Sequence, residues 1–129
     1  MINQHKIVAR FSNGSVLKGV TSDFTPLKTF FNLKLENGEM KMIDTDELKA
    51  VFFIKEPESD QLPEDTYKNI ANYGGKKVKV HFHDGEIIIG YTMEYMSDYN
   101  GFFITPADQE SNNERIFVFT AATEKITFF

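Results

Sequence analysis

The chain has 129 residues, 41% of them apolar, with a formal charge of −5 and no cysteine. That length supports one ordinary domain or two very small ones, and the apolar share fits a folded chain. The lack of cysteine excludes disulfides, thiolate zinc sites and thiol nucleophiles together. Charge is unevenly spread: residues 1–55 carry +2, residues 56–75 carry −4 and residues 76–129 carry −3. No basic footprint for a long stretch of phosphates results. Neither a leader-type apolar stretch nor a membrane-length run is visible, so a soluble cytoplasmic protein without membrane attachment is expected.

Thirteen Phe and five Tyr without Trp favour strands. The first expected strand is 6–11, ending at Asn13-Gly14, a dipeptide suited to a two-residue turn with positive φ at both central positions. The return strand, 16–24, contains Gly19, and strands at 30–35, 39–43 and 50–55 follow. Residues 56–75 form an acidic linker whose Pro63–Asn72 portion has the start and stop signals of a short helix.

After the linker the pattern recurs. Lys77-Val78-Lys79-Val80-His81-Phe82 alternates with the period of a half-buried strand. Asp84-Gly85 then stands where Asn13-Gly14 stood, and Gly90 where Gly19 stood. A glycine inside a strand at matched places predicts a bulge or sharp bend. Strands are expected at 76–82, 86–95, 101–105, 115–119 and 124–128. Phe24 aligns with Tyr95 and Phe31 with Phe102, but Lys49–Phe53 aligns with Glu124–Phe128 only after a four-residue shift. The extra residues are assigned to the polar stretch 107–113. The chain is thus expected to be all-β with one short linker helix: a tandem duplication of a five-stranded small barrel. The repeats are 1–55 and 76–129, with the linker at 56–75. In the pairs Phe52-Phe53 and Phe128-Phe129, neighbours point to opposite faces. One ring can fill its own repeat while the other meets the sister repeat or a second chain.

The order strand, Asn-Gly turn, glycine-bearing strand and aromatic strand in "NGSVLKGVTSDF" and "FFNLKL" resembles the first motif of Sm-like, SH3-type barrels. That resemblance implies a base-binding role for Phe31 and Asn32. Where the second Sm motif requires Arg-Gly, this chain has Glu47-Leu48-Lys49-Ala50 and Thr123-Glu124-Lys125, and Phe103 replaces the asparagine in the second repeat. The phrases "ARFSNGSVLKGVTSDFTP", "DELKAVFFIK" and "GFFITPADQESNNERIFV" also resemble an uncharacterised bacterial domain family, with no activity to carry over.

His81 and His83 are the one pair with metal-ligand character, and two imidazoles are too few for a site. No metal or other cofactor is therefore expected. Lys76, Lys77, Lys79, His81 and His83, with Tyr91, Tyr95 and Tyr99 nearby as stacking platforms, are the candidates for a phosphate- or base-binding face. Asp44, Asp46 and Glu47 sit in a polar turn beside Lys49 and read as solvated, and no nucleophile has a distinctive surrounding turn. A cyclic-dinucleotide receptor of PilZ type would need a paired-arginine motif, whereas the chain has only Arg10 and Arg115. The expected role is non-enzymatic: binding of an unknown protein partner or self-association, including a homodimer, through strand edges and loops 25–30 and 96–100. Binding of RNA or single-stranded nucleic acid is the alternative, disfavoured by the negative charge.

Overall fold

The computed structural model describes residues 4–55, 75–93, 100–108 and 112–129. The expected linker helix, Tyr95 and Tyr99 lie outside these residues. The described chain contains ten strands: β1 (His5–Phe11), β2 (Val16–Thr21), β3 (Phe30–Leu35), β4 (Met40–Asp44), β5 (Leu48–Ile54), β6 (Lys76–Phe82), β7 (Ile87–Thr92), β8 (Gly101–Pro106), β9 (Asn113–Phe119) and β10 (Thr123–Phe128). Short 3-10 turns at Thr45–Glu47 and Thr120–Ala122 precede β5 and β10.

The hairpin turns correct one expectation. Phe11 N–H donates to Ser15 O at 2.9 Å and Gly14 N–H donates to Phe11 O at 3.0 Å, so the loop has three residues rather than two. Gly14 alone takes positive φ, at 93°, while Asn13 stays in the ordinary region and its Oδ1 accepts from Ser15 N–H. The same construction recurs at Asn37-Gly38 and at Asp84-Gly85. Three-residue loops closed by a left-handed glycine match the twist of antiparallel strands.

Gly19 and Gly90 mark no bulge. Neither has positive φ, and no ladder shifts register at either. At each, the backbone of a neighbouring strand approaches closely. A Cβ on Gly19 would stand 2.3 Å from Lys34 O, and one on Gly90 would stand 2.4 Å from Thr105 O. The register shifts fall instead between Arg10 and Phe11 in the β1–β5 ladder and between Thr123 and Lys125 in the β10–β6 ladder.

Where two small five-stranded barrels in tandem were expected, the strands form one open antiparallel sheet in the order β10-β6-β7-β8-β9-β5-β1-β2-β3-β4. Within it the strand order of the first half, β5-β1-β2-β3-β4, is repeated by the second half, β10-β6-β7-β8-β9. Phe31 occupies in the first half the rung that Phe102 occupies in the second, and Met42 matches Phe117. The four-residue insertion therefore enters between β8 and β9.

The halves join through β5 and β9, paired from Ala50↔Val118 to Ile54↔Asn113. Residues 50–54 of β5 and 116–119 of β9 are apolar on both faces. Val51, Phe53, Phe117 and Phe119 turn into a cluster with Ile7, Phe31, Leu33 and Ile43. Ala50, Phe52, Ile116 and Val118 turn into a second cluster with Val78, Val80, Phe82 and Ile104. A strand buried on one face only would alternate with polar residues. The run Ala50-Val51-Phe52-Phe53 does not, because it serves two cores.

Replacing Gly19 or Gly90 by alanine forces a methyl group into a backbone carbonyl, which should cost about 1–3 kcal/mol in urea unfolding. Ser15→Ala, on an exposed turn, should change stability by less than about 0.5 kcal/mol. Equal effects from the three would refute the close-approach account.

Candidate functional site

Two polar assemblies and one cleft lie along the junction of the halves. The first assembly follows from the shifted register at β1–β5. The extra residue there is Lys49, and its side chain is carried across to the second half instead of into solvent. Its side chain is only 7% exposed. Lys49 Nζ donates to Asp84 Oδ2 at 2.7 Å and to Glu86 Oε1, and lies 4.6 Å from the centre of the Phe82 ring. Arg10 Nη1 donates to both oxygens of Glu86 at 3.1 Å, and its guanidinium stands over Phe52. Lys49, next to the turn acids that read as solvated, is itself buried and clasps the β6–β7 hairpin to the first half.

The carboxylates register that cation. The hydrogen bond from Lys49, followed by that from the Glu86 backbone N–H, lowers the pKa of Asp84. Burial alone would raise the pKa of Glu86, but the hydrogen bond and charge of Lys49, with those of Arg10, outweigh it and lower the value. Both groups have folded pKa values below their unfolded ones. Their stabilisation is thus complete above the unfolded values, near 4, and is lost as pH falls through the lowered folded values.

The second assembly sits on the loop after β2. Asp23 Oδ1 accepts from Thr21 Oγ1 and from the Asn32 backbone N–H, each at 3.0 Å, and Asp23 Oδ2 accepts from Asn32 Nδ2 at 2.9 Å. Burial would raise the Asp23 pKa, yet these hydrogen bonds lower it on balance. The loop they hold delivers Phe24 into an aromatic group. Its ring stands 5.2 Å from Phe31, 5.7 Å from Phe53 and 5.4 Å from Phe117, all edge to face. Such contacts suit the ring quadrupole.

The cleft opens beside this group. It has a volume of about 360 Å³ and is lined by Pro26, Tyr91, Met93, Phe103, Thr105, Arg115 and their neighbours on β8 and β9. The Arg115 guanidinium lies 4.5 Å from the centres of both Phe53 and Phe103, one ring from each half. Burial lowers its pKa, with Glu114 opposing weakly. An arginine remains protonated regardless. Among the described residues no carboxylate forms an ion pair with it. It is a half-buried cation beside two aromatic rings, and it lines the cleft.

Of the described residues singled out from sequence, Tyr91 lines the cleft and the others are placed elsewhere. Phe31 is 0% exposed, deep in the first core, and cannot stack on a base without leaving it. Asn32 has its amide engaged by Asp23. Lys77, Lys79 and His81 lie along one face of β6, with Lys77 Nζ over the Phe129 ring, and His83 is exposed in the hairpin turn. Among the described residues no group of three or more His, Cys, Asp or Glu is arranged to hold a metal. The acids before β5 serve the turn, where Asp44 Oδ1 accepts from Asp46 N–H. Sequence reading passed over Arg115. Its signal was a lone cation leading the apolar run Ile116-Phe117-Val118-Phe119.

Fold and cleft together define an all-β protein with a doubled strand order and no helix, among the described residues, long and apolar enough to cross a membrane. The chain belongs to a family described as "Family of unknown function (DUF6982)", whose model matches residues 3–129. Comparison with curated proteins and with solved structures finds no match.

Lys49→Met keeps the apolar stem and removes the cation. The wild type should lose stability more steeply than this variant between about pH 5 and about pH 3, measured by urea unfolding at each pH. Parallel pH profiles would show that the clasp contributes nothing.

Proposed function

We propose that this chain is a non-enzymatic binding module that receives an acidic, apolar segment of a protein partner in the cleft between its halves. Each five-strand run is read as a small SH3-type unit, and the cleft lies where the two units meet. Arg115 supplies the anion contact; Tyr91, Met93 and Phe103 supply the apolar wall. The observation that carries this reading is the half-buried guanidinium with no carboxylate partner among the described residues. Desolvating a cation is costly unless an anion or aromatic face compensates, and here the rings compensate in part. A carboxylate entering the cleft would complete the set with a charge-assisted hydrogen bond. Pro26 places one wall on the loop after β2, among the surfaces expected to meet a partner. The nucleic-acid alternative has less support, since Phe31 and Asn32 are already committed inside the fold.

The test uses N-acetylphenylalanine and its amide as probes in a ¹H–¹⁵N NMR titration of the full chain. The acid should shift the Arg115 Nε–H signal and the Tyr91 and Thr105 backbone signals, while the uncharged amide should bind about tenfold more weakly. Arg115→Met, which keeps a flexible apolar side chain between the rings, should remove the difference. Equal shifts from acid and amide, or none at these positions, would overturn the reading.

A further inference from the structure

We infer that copies of this chain join head to tail, β10 of one pairing antiparallel with β4 of the next. The inference goes beyond the cleft and uses different surfaces. The internal junction pairs the edge strand of one half, β5, with the opposite edge strand of the other, β9. At the ends of the open sheet stand the counterparts of these two strands: β10 is to the second half what β5 is to the first, and β4 matches β9. Each terminal edge is thus of the type that its opposite end already binds inside the chain.

The ladders fix the register of such a contact. Val8↔Phe52 in the first half corresponds to Lys79↔Thr127 in the second, and Asn32↔Met42 corresponds to Phe103↔Phe117. The internal pairs Val51↔Phe117 and Phe53↔Arg115 then transpose to Ile126 opposite Met42 and Phe128 opposite Met40. These are the side chains that the single chain leaves exposed or half-buried. Met42 is 68% exposed where its counterpart Phe117 is 1% exposed; Met40 is 64% and Phe128 40% exposed. Transposition thus puts apolar against apolar in two adjacent cross-strand pairs, the unit by which sheets are stabilised.

The other face carries Lys41 opposite Thr127 and Lys125 opposite Ile43, so no like charges stand directly across. Lysines on an edge can also keep it unpaired. Here they emerge opposite the methionine face, and an edge blunted by charge has no need of two exposed methionines in a row. Glu124 falls at the shifted register of β10, as Lys49 does in β5. Its transposed partners are Asn13 and Ser15, in place of Asp84 and Glu86, so the anion meets neutral groups. A contact between unlike edges is heterologous, and it extends until it closes into a ring or runs on as a filament.

Light scattering on size-exclusion fractions, over a concentration series of the full chain, tests this with Met42→Lys and Phe128→Lys. Each variant should keep the wild-type circular dichroism and a cooperative thermal transition, which separates loss of assembly from loss of fold. The wild type should assemble beyond a dimer, each variant alone should be a monomer, and an equimolar mixture should form a dimer and nothing larger. In the mixture one β10 and one β4 remain intact. A wild type that stays monomeric at its highest soluble concentration would overturn the inference. So would assembly surviving in both variants, or a variant that dimerises alone through like edges. The register has its own check: Ser15→Lys should strengthen assembly and Ser15→Glu should weaken it, and equal effects would refute that register.

Discussion

Everything in this molecule depends on one antiparallel ladder with no solvent face. From Ala50↔Val118 to Phe52↔Ile116, successive rungs of β5 and β9 place their side-chain pairs alternately in the second core and the first. Fifty-odd residues bury a core that is marginal alone. Sharing two strands lets each half count the partner's side chains as its own. Phe117 and Phe119 complete the first core, while Ala50 and Phe52 complete the second. Shifting this ladder by one residue would send every side chain to the wrong core. That penalty holds the halves in a single alignment.

The polar features follow from the ladder. Because β5 must enter with Leu48 facing the first core and Ala50 facing the second, Lys49 is the residue absorbed by the register shift. It leaves the strand toward Asp84 and Glu86. Because β9 must deliver Phe117 to the first core, Arg115 two residues earlier is carried to the same face, between Phe53 and Phe103. Both cations are where they are because of the apolar residues beside them. The clasp and the cleft therefore have one origin.

Much of the fold was legible in the sequence. Strand positions followed from alternation in segments such as Val78-Lys79-Val80 and from the Asn-Gly and Asp-Gly turns, since both signals are local. The bilateral burial of Ala50–Phe53 was legible as an unbroken apolar run, but its partner was not, because pairing with β9 crosses more than sixty residues. Turn type was misread at Asn13, because Asn-Gly serves two- and three-residue loops alike and only the closing hydrogen bonds distinguish them. Gly19 and Gly90 were rightly singled out, but not as bulges: a close carbonyl demands glycine there. The site was the least legible part. Phe31 and Asn32 carried a motif's residue types while serving the interior, and Arg115 carried no motif at all.

The shared ladder also governs how the chain comes apart. Neither half can melt while the other stays native, since opening one core strips the lining from the other. Cooperativity between the halves thus comes from strands that belong to both, and a half-molten species has no plateau to occupy.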